Sequence, residues 1–150
     1  NIKALCEDFG VTFRFNPWND LEKINLLDIC VEMSVSWVVL AGFLKLVPNS
    51  FIAQFPNEII NIHPALLPKY GGKGMYGMHV HNAVIQAKEL ESGITIHYVN
   101  GLYDEGQIIK QFRVAMSENE TPQSLSAKVR ALEHKYFSDT VAKLITSNKN

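Results

Sequence analysis

Two apolar periods alternate along this chain. Residues 36–42, "SWVVLAG", form a continuous β-branched run, and residues 58–64, "EIINIHP", form a second. Runs of this kind predict strands buried on both faces. Residues 92–99, "SGITIHYV", and 107–116, "QIIKQFRVAM", alternate with a period of two and predict further strands. Between them the period lengthens. A helix is predicted over residues 21–33, a short one within 47–56 bounded by Pro48 and Pro56, and one over 78–89. The last is long, with Thr121 as its cap, Pro122 at its first position, and a stripe of Leu125, Val129, Leu132, Tyr136, Val141 and Leu144. At the front, residues 2–9 read as a helix end closed by Gly10, and residues 11–15 as a short strand.

Strands interleaved with helices predict an α/β fold with a mostly parallel sheet covered by helices on both faces. The 150 residues suffice for one domain, 1–150, and no repeat or linker divides them. Sheets of this class bind ligands beyond the carboxyl ends of their strands. Three segments fall there: "LAGFLKLV", "NIHP" and "NGLYDEG".

Within them, Asn61 and His63 stand two apart and so point to one face of their strand. An amide donor beside an imidazole suits a developing oxyanion. Read alone, each has a plainer role, an Asx turn for Asn61 and a backbone partner for His63. Asp104 is either a turn carboxylate bonding its own backbone or the group that holds a proton on His63. Glu105 is expected to face solvent. His79 and His81 form an HxH, but residues two apart on a helix diverge, and no HExxH or CxxC accompanies them, so no metal is expected. His97 is a candidate for the same cleft, and His134 reads as a surface residue. GxSxG, GxGxxG and GxxxxGKS are missing, and the glycines at 71, 72, 74 and 77 read as hinges of a cleft-edge loop.

Composition narrows the partners. A net charge of −1 gives no basic field for nucleic acid or an anionic membrane surface. The longest apolar run, residues 37–44, is too short to cross a bilayer. Cys6 and Cys30 read as reduced thiols, which places the chain in the cytoplasm.

The strings "LAGFLKLV", "NIHPALLPKYGGKGMYG", "SGITIHYVN", "YDEGQII" and "ALEH" together resemble the folate-dependent formyltransferases, in particular the glycinamide ribonucleotide branch. The resemblance is clearest over residues 37–137. It implies a Rossmann-like formyltransferase fold and transfer of a formyl group from 10-formyltetrahydrofolate, a co-substrate, to the amine of glycinamide ribonucleotide in purine synthesis. It implies catalytic roles for Asn61, His63 and Asp104. The folate side is expected at Leu44, Lys45, Leu46, Val47, Asn61, Asn100, Gly101, Leu102, Tyr103 and Asp104. The ribonucleotide is expected at Arg130, Ala131, Leu132 and Glu133. Partners are these small molecules, with the chain a monomer or homodimer. The family's opening strand and phosphate-cradling loop have no counterpart here, so the domain is expected to be N-terminally incomplete. Alternatives on the same scaffold are a formyltetrahydrofolate deformylase, another formyltransferase, or a folate-binding fragment without catalysis.

Overall fold

The computed structural model describes residues 2–14 and 26–147. They fall into two compact units, Asn1–Val35 and Ser36–Asn150. The first carries α1 (Ile2–Asp8) and α2 (Leu26–Glu32). α1 stops because Gly10 takes φ +65°, letting the Gly10 and Val11 amides bond back to Glu7 and Cys6. α2 stops in the same way at Ser34, φ +51°. The strand expected over residues 11–15 is not formed by residues 11–14, and Phe15 lies outside the described residues. No ladder pairs with 11–14, and an unpaired strand has no stability of its own. The first part of the predicted 21–33 helix, residues 21–25, also lies outside the described residues.

The second unit holds β1 (Val38–Leu40), α3 (Asn49–Ile52), β2 (Ile59–His63), α4 (Met78–Gln86), β3 (Glu91–Tyr98), β4 (Ile108–Ala115) and α5 (Pro122–Ser147). The strands lie in the order β1-β2-β3-β4. The expectation of a mostly parallel sheet needs correction among the described residues. β1 and β2 are parallel, but β2–β3 and β3–β4 are antiparallel. Interleaved helices are a cue for parallel crossovers, yet the connection from β2 to β3 carries a Pro/Gly loop as well as α4 and reverses the chain. The last pair is joined by the 99–107 turn, which is too short for the crossover that a parallel pair needs. β1 also differs from expectation. It is three residues long, pairs with β2 alone among the described residues, and leaves Val39 42% exposed.

The largest core cluster lies on one face of the sheet. Ile60 and Ile62 of β2 and Ile94 and Ile96 of β3 pack with Val80 and Val84 of α4 and Leu125 and Val129 of α5. α5 starts where Pro122 can occupy the first turn without a lost donor, and Thr121 Oγ1 accepts the Ser124 amide at 3.1 Å. Glu120 supports this start by accepting from Lys128 and Ser124, which hold its carboxyl down to about 2. Further along the stripe, Tyr136 stacks on Phe112 with ring centroids 4.0 Å apart. Leu125 is fully buried, so Leu125→Ala leaves a cavity between α5 and the sheet. We expect it to cost about 2–5 kcal/mol, read as a lowered midpoint in denaturant unfolding.

Candidate active site

Strand pairing assembles the polar side of the sheet. β2 and β3 register Asn61 against His97 and His63 against Thr95. All four therefore leave the sheet on the face opposite the isoleucines. A register shift in β4 beside Ile96 and His97 bends the ladder next to this cluster. Thr95 fastens the following loop. Its hydroxyl donates to the Ala65 carbonyl at 2.7 Å and accepts the Leu67 amide at 3.0 Å. Gln111 on β4 donates to that hydroxyl and to the Leu67 carbonyl.

The hydrogen bonds define the tautomers. His97 Nδ1 lies 2.8 Å from the Tyr98 carbonyl and donates to it, so in the neutral ring Nε2 is an acceptor. Asn61 Nδ2 fills it at 3.1 Å, which orients the amide. His63 Nε2 donates to the Tyr70 carbonyl at 2.7 Å. Its Nδ1 then faces Asp104 Oδ2 at 3.5 Å, and Asp104 Oδ1 stands 3.7 Å from His97 Nε2. Asp104 sits at φ +58° in the 100–106 turn and accepts the Gly72 amide at 2.9 Å.

Asn61, His63 and Asp104, expected to act together, thus meet in space. The expected effect of Asp104 on His63 is present but does not win. Burial pushes His63 below its ordinary value, while Asp104 and the Tyr70 carbonyl pull it up. In the neutral ring the Nδ1 lone pair faces a carboxylate. Protonation at Nδ1 turns that repulsion into an ion pair, so this proton is the one the site can readily gain and give.

A cleft of about 600 Å³ opens over this cluster, lined by Asn61, His63 and Asp104 together with Leu44, Arg130 and Glu133. Ala131 and Leu132, expected beside them, do not line it; Leu132 packs toward the core instead, because helical spacing sends 130 and 133 to one side. Burial raises Glu133, opposed by His134 and Arg130. A slot of about 40 Å³ adjoins, lined by Lys45, Leu46, Val47, Asn61, Asn100, Leu102, Tyr103 and Asp104. Gly101 lines neither. A side chain there would meet Asn49 Oδ1 at 2.5 Å, so its role is close packing. Glu105 is exposed, as expected.

Two histidines matter more than their sequence context suggested. His97 is 2% exposed and holds Asn61. His81 is 4% exposed and lines the cleft, whereas His79 is exposed. The HxH does split across the helix, but its buried half faces the site. The signal for His97 was its register opposite Asn61, which no single sequence displays. His134 is exposed, as expected, and also borders the cleft. Among the described residues no group of three or more His, Cys, Asp or Glu is arranged to hold a metal. Nor is any described helix long and apolar enough to cross a membrane.

The sequence model of the formyl transferase family matches residues 15–141. The chain belongs to this family. As a formyl transferase it is 45% identical over 125 residues to a chloroplastic phosphoribosylglycinamide formyltransferase of Arabidopsis thaliana, covering 83% of this chain and 43% of the relative. It is 33% identical over 129 residues to a phosphoribosylglycinamide formyltransferase of Haemophilus influenzae, covering 85% and 58%. The crystal structure of a phosphoribosylglycinamide formyltransferase from Anaplasma phagocytophilum superposes with TM-score 0.84 at 30% identity, over 97% of this chain and 69% of that one. The chain thus spans about half the length of these curated relatives.

The buried histidines make stability depend on pH. His63, His81 and His97 are all held below the ordinary 6.5 by burial. Below about pH 6.5 the unfolded chain takes up protons that the folded chain resists, so folding stability falls with pH. We expect the denaturant midpoint to drop between pH 7 and 5.5, and His81→Gln to flatten the slope. A midpoint flat over that range would contradict neutral buried rings.

Proposed function

We propose that this formyl transferase moves a formyl group from 10-formyltetrahydrofolate to the primary amine of glycinamide ribonucleotide. The observation that carries the reading is the convergence of Asn61, His63 and Asp104 on one cleft, in a chain whose relatives carry that enzyme's name. Asn61 has two amide hydrogens. His97 takes one, and the other is free to stabilise the oxyanion that develops as the amine attacks the formyl carbon. His63, protonated at Nδ1, adds a positive charge beside that oxygen. Asp104 stabilises the imidazolium and, through a water, moves the proton lost by the amine toward the departing folate nitrogen. The amine must be neutral to attack, and the pair His63–Asp104 can store the proton in either direction.

Arg130 and Glu133 line the cleft, which supports a role at the ribonucleotide, with Arg130 the group for an anionic or hydroxyl-bearing portion. The slot beside Val47, which adjoins the cleft at Asn61 and Asp104, is the side we assign to the folate ring. At about 40 Å³ it must widen to admit a bicycle, and Leu46 and Leu102 on its rim are exposed side chains outside the core. Asn100 shapes the far rim, its side chain accepting the Leu102 amide at 3.0 Å. Reduced Cys6 and Cys30 suit a cytoplasmic setting, and the chemistry needs no partner beyond the two small molecules.

The test is a formyl-transfer assay with the full-length protein. Formylated glycinamide ribonucleotide is the expected product. Free formate alone would indicate a deformylase and overturn the reading. His63→Ala and Asp104→Asn should each lower kcat by about a hundredfold or more, since each removes a charge aimed at the transition state. Near-parental turnover in both would remove these residues from the chemistry.

A further inference from the structure

The stretch Tyr70–Gly72 grips both partners of the buried pair. The Tyr70 carbonyl accepts from His63 Nε2 at 2.7 Å, and the Gly72 amide donates to Asp104 Oδ2 at 2.9 Å. Gly71 between them lies so close that a side chain there would meet Leu67 Cδ2 at 2.6 Å and Asp104 Cβ at 3.1 Å. The position of this stretch therefore sets the 3.5 Å separation of His63 and Asp104.

Tyr70 adopts φ +58°. Glycine is the default there, since a left-handed backbone brings the Cβ of any other residue too close to the following carbonyl oxygen. The loop has glycines at 71 and 72, yet a large side chain occupies the left-handed position. That side chain is anchored. Its ring packs against the core cluster, and its hydroxyl donates to Glu89 Oε1 at 2.7 Å. Lys69 Nζ donates to the same oxygen at 2.8 Å. Burial and Glu89 push the Tyr70 hydroxyl up to about 12, so it remains a donor at any working pH.

Glu89 is itself held by the end of α4. Lys88 takes φ +52°, its amide bonds back to Ile85, and the Glu89 amide to Val84 at 3.4 Å. A continuous series of fixed groups thus runs from the helix end to the imidazole.

We propose that Tyr70 and Glu89 are positioning residues for His63, a strap in which the Glu89 carboxylate holds the Tyr70 hydroxyl and so aims the Tyr70 carbonyl at His63 Nε2. The strap keeps the Nε2 proton engaged, reserves Nδ1 for Asp104 and the cleft, and orients the ring that the formyl-transfer reading makes catalytic. Loosening it removes a contribution that favours the imidazolium. The charged and titratable groups acting on His63 and its neighbours otherwise stay in place: Asp104 on the turn, His97 on β3, His81 on α4 and Arg130 on α5.

The test uses the full-length protein and four variants. Tyr70→Phe keeps the ring and loses only the hydroxyl. Glu89→Ala loses the acceptor, and Glu89→Gln retains an oxygen that can accept. The fourth combines Tyr70→Phe with Glu89→Ala. NMR titration of the His63 ring nitrogens is the readout independent of turnover. Tyr70→Phe and Glu89→Ala should move the His63 midpoint to lower pH and weaken the Nε2–H signal. Both should lower kcat about tenfold with KM for folate within about twofold, and shift the pH profile toward acid. Glu89→Gln should restore most of each effect, and the double variant should be no worse than either single one. An unchanged His63 titration in Tyr70→Phe would overturn the strap whatever the turnover, as would Glu89→Gln behaving like Glu89→Ala. A parent protein without formyl transfer, but with the expected His63 shifts, would leave the strap standing and remove the formyl-transfer reading.

Discussion

The antiparallel register of β2 against β3 is the constraint on which the rest depends. Asn61 opposite His97 and His63 opposite Thr95 place four polar side chains on one face, while Ile60, Ile62, Ile94 and Ile96 occupy the other. A slip of one residue would exchange the faces of the strand that moves. If β2 slipped, Asn61 and His63 would turn in among α4 and α5, and Ile60 and Ile62 would leave that core. The hydrophobic burial that stabilises the sheet therefore also selects the site, with no separate device needed to aim those side chains.

Two loops then act on the polar face from opposite sides. The Pro/Gly loop is bonded to the sheet through Thr95 and Gln111 and presents the Tyr70 carbonyl and Gly72 amide. The 100–106 turn brings Asp104 in left-handed geometry against both. His63 Nε2, His97 Nδ1 and Asp104 Oδ2 each have a backbone partner, and His97 Nε2 has Asn61. Two influences oppose each other here, and burial is the larger. Burial favours neutral rings, while Asp104 favours charged ones and lessens the cost of protonating them.

Much of this was legible in the residues. Residue period marked β2, β3, β4, α4 and α5 with ends within a few positions, because amphipathic burial imposes its period locally. Pro122 and Thr121 announced the start of α5, and the i, i+2 spacing of Asn61 and His63 announced a shared face. The resemblance to formyltransferases reached the same residues by a different route. Strand direction was not legible. An interleaved helix looks the same in sequence whether the chain continues or turns back, and the reversal arises in a loop without a period.

By itself, then, the sequence determined most of the strand and helix segments and which side chains share a strand face, and it placed Asn61, His63 and Asp104 at the strand ends where such sheets hold their ligands. Those are consequences of local periodicity and residue type. The tertiary structure alone decided that β2 and β3 run antiparallel, that His97 holds Asn61, and that His81 rather than His79 faces the cleft. It also decided that Tyr70, an unremarked residue of a glycine-rich loop, touches His63. Each of these depends on contacts between residues seven to dozens apart, and on a balance between burial and charge that exists only once the chain has folded.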